Sequence, residues 1–193
     1  LSASETGLVL LPLMLGIGFG SMLTGRSVSR TGLTAIFPSV GLIFATLSLL
    51  AFALFGDALG PRGLGLLLLW SGLSMGTVMG VVQVTVQNAA GPASLGSAAA
   101  SVQLSRSIGA AVGTALVGTV LFAALALGEP EAARLFEALL QGGRAADIDA
   151  LPSDRQAAVH AEIARAFRLA FLTVAGFAAA GLALAWSIPT RRL

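Results

Sequence analysis

The residues able to do chemistry are few, and they stand apart from one another. Cysteine is absent and His160 is the single histidine, which leaves no ligands for thiol catalysis, disulfides or a Cys/His metal site. His160 falls in a polar stretch, the setting of a solvated surface histidine rather than a proton relay. Nine acids stand against eleven basic residues, every one an arginine, for a formal net charge of +2. Serines occur without a nearby base to activate them, and the glycine clusters take neither the phosphate-loop nor the dinucleotide-binding form. No enzyme activity, metal or cofactor is expected from this set. The high isoelectric point follows from arginine content and not from a basic patch, so nucleic acid is not an expected partner.

What remains is a group of polar residues inside apolar sequence. Gly72, Gly76, Gly80, Gln83 and Gln87 follow at spacings of four, four, three and four, which puts all five on one helix face. The glycines form the small-xxx-small pattern that lets helix backbones approach closely. The glutamines either continue that packing stripe or line a polar cavity, and the spacing is compatible with both. Gly16 and Gly20, and Gly109 and Gly113, repeat the pattern. Arg106 has two readings as well. If its helix enters the bilayer at Ser97, the guanidinium lies about 13 Å deep, facing a water-filled cavity with Gln103 and Gln87. If the span is Ile108 to Leu127, about 30 Å and complete by itself, Arg106 sits at the cytoplasmic boundary and snorkels to lipid phosphates.

These residues must be held by membrane helices. Of 193 residues, 56% are hydrophobic and only 10% are charged, against about 25% charged in soluble domains. The mean hydropathy is +0.91, and 24 glycines fit membrane helices, in which glycine is common. Five apolar stretches reach the ~20 residues that cross a hydrocarbon core: about 6–24, 35–55, 64–86, 102–127 (within 97–127) and 166–188. The runs are continuous rather than alternating, so the expected fold is an all-α polytopic bundle in the lipid bilayer, not a barrel. The second and fifth spans carry no charge in their apolar centres and read as peripheral. The first, third and fourth read as close-packed.

The connectors set an orientation. The 25–32 connector holds Arg26 and Arg30 with no acid, and the tail holds Arg191 and Arg192, which predicts that both are cytoplasmic. The connector 128–165 gathers Glu129, Glu131, Glu137, Asp147, Asp149, Asp154 and Glu162 and is expected outside, with short helices over 131–140 and 153–164. Asp57 and Arg62 mark the other outer connection. Ser2 and Glu5 have capping-box spacing at the first helix start. A multi-pass plasma (inner) membrane protein results, with the Leu1 side outside and the C-terminus cytoplasmic. The opening segment looks like a connection entering a helix rather than a signal peptide, and the chain reads as a piece of a longer one.

Two stretches carry a family resemblance. Ser-Ala-Ser-Glu-Thr-Gly-Leu-Val-Leu-Leu-Pro-Leu-Met-Leu-Gly, with Gly20-Ser-Met-Leu-Thr-Gly-Arg-Ser-Val-Ser-Arg-Thr-Gly32, resembles the second-half copy of the superfamily motif in major facilitator transporters. Val86-Gln-Asn-Ala-Ala-Gly and Leu95-Gly, then Ser101-Val-Gln-Leu-Ser-Arg-Ser-Ile-Gly109 and Gly113, resemble the fourteen-helix drug:proton antiporter branch, the EmrB/QacA type. The resemblance covers about the first two thirds of the chain. It implies the last five helices of a C-terminal bundle, with the first, third and fourth around the cavity, alternating access, and small-molecule substrates exchanged for protons. It also implies a gating role for Arg26 and Arg30; the motif's acid is absent, with Thr24 or Gly25 in its place. The family's proton-coupling acids belong to an N-terminal half, which this chain would need as its partner. Two alternatives stand beside it: a five-helix scaffold that binds a partner through its glycine faces, and a facilitator exporting a metabolite.

Overall fold

The computed structural model describes residues 3–31, 36–128, 130–140 and 152–187. They form six α-helices: α1 (Ala3–Thr31), α2 (Ile36–Phe55), α3 (Pro61–Ala90), α4 (Leu95–Leu127), α5 (Pro130–Leu140) and α6 (Ser153–Trp186). Five of them, all but α5, are long and apolar enough to cross a membrane. The protein is an all-α polytopic membrane helix bundle. Local sequence explains the boundaries. Pro61 opens α3, where its missing N–H costs nothing and its fixed φ suits the first turn. Gly91 closes α3 at φ 73°, a left-handed conformation that a side chain resists.

Three boundaries differ from the sequence expectation. Helix α1 does not stop at residue 24 but runs through Arg26 and Arg30 to Thr31, so these arginines lie on the last turns of a helix rather than in a loop. Ser27 Oγ donates to the Leu23 carbonyl at 2.9 Å and Ser29 Oγ to that of Arg26 at 2.9 Å, so the hydroxyls are satisfied within the helix. Arg30 also lies where the helix dipole favours a cation. Second, α4 starts at Leu95, seven residues before the expected 102. Third, the expected helix at 153–164 is continuous with the last span in α6, whose 34 residues extend about 51 Å. That exceeds a ~30 Å hydrocarbon core, so the first turns of α6 project beyond it. Ser2, Arg144, Asp147, Asp149, Arg191, Arg192 and Glu129 lie outside the described residues.

Helix α3 is the hub. It packs on α1, α2 and α4, while α6 packs on α2 and α4, so α2, α3, α4 and α6 form a ring with α1 laid against α3. Within the spans many hydroxyls bond their own helices, as Ser48 does to Phe44 (2.8 Å) and Ser74 to Trp70 (2.8 Å), while Ser71 Oγ is buried without a partner among the described residues. Apolar surroundings therefore meet few unpaired donors. A buried apolar cluster lies at one end, where α5 folds onto α4 and α6: Leu125, Ala132, Val159 and Ala166 are buried, with Phe136 and Ile163 against them. Phe136 stands edge-on to Phe122 (6.1 Å) and Phe167 (5.9 Å), tying the three helices together. Arg168 Nε donates to the Ala53 carbonyl at 3.0 Å, supplying a partner in the last turn of α2, where carbonyls lack helical ones.

Candidate functional site

The glycine stripe of α3 meets that of α1. A Cβ at Gly72 would collide with the Leu13 carbonyl oxygen, and one at Gly76 with that of Ile17 and, at 2.9 Å, with Ser21 N. From the other side, Gly16 abuts Leu69 and Leu73, and Gly20 abuts Leu73. The two helices run parallel with backbones in contact, and Ser21 Oγ donates across to the Gly76 carbonyl at 3.1 Å. Gly80 has looser neighbours, its nearest being Ser21 O at 3.9 Å. Gln83 and Gln87 are half-buried and follow on the same stripe.

Helix α4 behaves differently. A Cβ at Gly109 or Gly113 would meet nothing within 4 Å, so this pair does not mediate a close helix crossing among the described residues. The reason is that α4 is buried only near its ends, at Ala98 and Leu125. Its middle stands open. One packing glycine that spacing did not reveal is Gly41 on α2, where a Cβ would strike Thr77 Oγ1 and, at 2.8 Å, Val78 Cγ2 of α3. It has no partner glycine four residues away, so no pattern announced it.

Between α3 and α4 lies a cleft of about 500 Å³. Val78, Met79, Val82 and Val86 make one wall; Ser101, Val102, Ser105 and Arg106 make the other. Arg106 thus lines a cavity. Gln83, Gln87 and Gln103 are not in the lining of this cleft: the 3.6-residue period that places Val82 and Val86 in it turns the α3 glutamines toward the α1 side, and Gln103 is exposed on another face of α4. The parallel register of α1 and α3, with Ser21 at Gly76, brings Arg26 and Arg30 to the same end of the bundle as the cleft. Among the described residues Arg106 has no ion pair or hydrogen bond, and no group of three acids or histidines could hold a metal. His160 is exposed on α6. An apolar wall facing a guanidinium, with the Ser101 and Ser105 hydroxyls beside it, is an arrangement able to hold a small amphipathic molecule.

No protein-family model matches the chain, and no solved structure does. Curated relatives do. Over 125 residues, 65% of this chain and 36% of the relative, it is 33% identical to a tetracycline resistance determinant of Streptomyces rimosus. Over 119 residues, 62% of this chain and 17% of the relative, it is 34% identical to an uncharacterized MFS-type transporter of Mycobacterium tuberculosis, in the strains CDC 1551 / Oshkosh and ATCC 25618 / H37Rv. The chain is similar in sequence to major facilitator transporters. The aligned segment spans 36% of one relative's length and 17% of the others', so the match concerns one part of a major facilitator protein. The five long apolar helices are those of a multi-pass membrane protein.

Proposed function

We propose that this chain forms most of the C-terminal helix bundle of a major facilitator exporter. The whole protein would move drugs or other small amphipathic molecules out across the plasma membrane by proton-coupled alternating access. The observation that carries the reading is the sequence match to a tetracycline resistance determinant and to MFS-type transporters. The cleft between α3 and α4 supports it with space of small-ligand size. The same relatives favour a transporter over an enzyme. In this reading the open middle of α4, with Gly109 and Gly113, faces the N-terminal half, which supplies the proton-accepting acids. Arg106 contacts substrate, Gln83 and Gln87 set the α1–α3 packing around it, Gln103 faces the other half, and Arg26 and Arg30 gate the cytoplasmic end.

The test is export by the full-length protein in a bacterial host stripped of its own pumps. Tetracycline accumulation falls on expression, and a protonophore restores it. Unchanged accumulation of tetracycline and of a panel of amphipathic drugs, with the protein correctly inserted, would remove the reading. Gln83→Leu, through the α1–α3 packing, and Arg106→Gln, through substrate contact, each alter export while leaving membrane insertion intact; transport at the parental rate in both would remove these residues from the transport reading.

A further inference from the structure

We infer that the cleft between α3 and α4 is selective for amphiphiles with one anionic head, the head on Arg106 and the apolar body along Val78, Met79, Val82 and Val86. This deepens the transport reading at the same cleft and rests on it only for regarding the ligand as cargo.

The charge pattern carries the inference. A guanidinium keeps its charge in any surroundings and presents donors in a rigid fork that suits carboxylate or phosphate. Here it lines a largely apolar cleft with no ion pair or hydrogen bond among the described residues. Arg106 is exposed, yet it stands beside an apolar wall that lowers the local dielectric, so an anion is attracted there where a cation would be repelled. Ser105, the next residue, also lines the cleft and has no hydrogen-bond partner among the described residues, which leaves its hydroxyl free to donate to the same head. Ser101 is already engaged, its Oγ donating to the Ser97 carbonyl at 2.9 Å. No acid is among the described residues that line the cavity. The described acids are Glu5, Asp57, Glu131, Glu137, Asp154 and Glu162, all on the half of the bundle away from Arg26 and Arg30, and Glu162 is paired with Arg165 at 3.7 Å.

Position agrees with an amphiphile. From Arg106 to the end of α4 at Leu127 is about 32 Å of helix, close to the hydrocarbon thickness. The head therefore sits near one membrane surface, the one at the Arg26 and Arg30 end, while the wall of α3 runs from it as apolar surface. Both a phospholipid head and a free carboxylate or phosphate amphiphile have this chemistry.

The experiment uses the full-length protein in phosphatidylcholine nanodiscs, with empty nanodiscs as background, and measures binding of radiolabelled laurate and of dodecylammonium at mildly alkaline pH, where one is anionic and the other cationic. The parent binds laurate at least about tenfold more tightly than dodecylammonium, Arg106→Gln loses about tenfold in laurate affinity, and Arg106→Lys keeps most of it. Arg106→Glu reverses the preference, a gain of dodecylammonium binding that misfolding cannot produce. Equal binding of the two heads by the parent, or laurate affinity within about twofold of the parent in Arg106→Gln, overturns the inference. Repeating the measurement in phosphatidylglycerol nanodiscs separates the sources: displacement of laurate makes the occupant a lipid head, retention makes it a free amphiphile, and both results support the anion site. Binding is read without a gradient, so lost export with intact laurate selectivity removes the transport reading alone.

Discussion

At the scale of residues, the contact between α1 and α3 is made of backbone rather than side chains. Collisions at Gly16, Gly20, Gly72 and Gly76 would be with carbonyl oxygens and amide nitrogens, atoms that move only if a whole helix moves. Overpacking a tight site costs about 1–3 kcal/mol, and backbone opposition puts these positions at the upper end of that range. Gly76→Leu in the full-length protein therefore lowers thermal stability by about 3 kcal/mol, read as a melting shift in detergent, and also breaks the register in which Ser21 meets the Gly76 carbonyl. Gly18→Leu is the control. Nothing lies within 4 Å of a Cβ there, so its cost stays within about 0.5 kcal/mol. Equal shifts in the two variants would mean that the α1–α3 crossing is not as close as the structure has it.

At the scale of elements, the helices were legible because length and continuous apolarity leave a membrane chain few other solutions, and the α1 and α3 glycines were legible because a four-residue spacing marks one face. What a face touches was not. The period grouped Gln83 and Gln87 with the glycines, yet the cleft beside Arg106 is lined by Val82 and Val86, a third of a turn away. Identical spacing at Gly109 and Gly113 meets no neighbour, because contact depends on a second helix that spacing does not encode. The composition around Arg26 resembled a turn, but hydroxyls that bond helix carbonyls and a cation at the helix end let α1 continue. The α5 cap shows what tertiary packing adds. Phe136 touches rings on both α4 and α6, and Phe136→Ala removes about 2 kcal/mol of docking from a half-buried site. Amide exchange across Pro130–Leu140 then quickens by about 30-fold while that of α3 is unchanged. Unaltered exchange in α5 would show that Ala132 and Leu125 hold the cap without the ring.

At the scale of the molecule, charge is sorted along the bundle axis. Arg26 and Arg30 end α1 at the cleft end, whereas α5 and the projecting start of α6 carry Arg134, Glu137, Arg155, Glu162 and Arg165 at the other. Basic residues without acids are retained on the cytoplasmic side during insertion, while a segment of mixed charge is the one expected to cross. In the orientation we propose, the cleft end is the cytoplasmic one, and an amphiphile entering beside Arg106 would come from the cytoplasm or the inner leaflet. The lack of cysteine in the chain makes this directly measurable, given a cysteine-free background for the rest of the protein. Ser29→Cys, exposed near the end of α1, and Arg134→Cys, on α5, are each labelled with a membrane-impermeant maleimide in intact cells and in inverted vesicles. Arg134→Cys reacts in cells and is protected in inverted vesicles; Ser29→Cys shows the reverse. Labelling of both from the same side would break the axis assignment. A full reversal would keep the bundle but turn the cleft outward, making Arg106 a point of uptake or release at the outer surface.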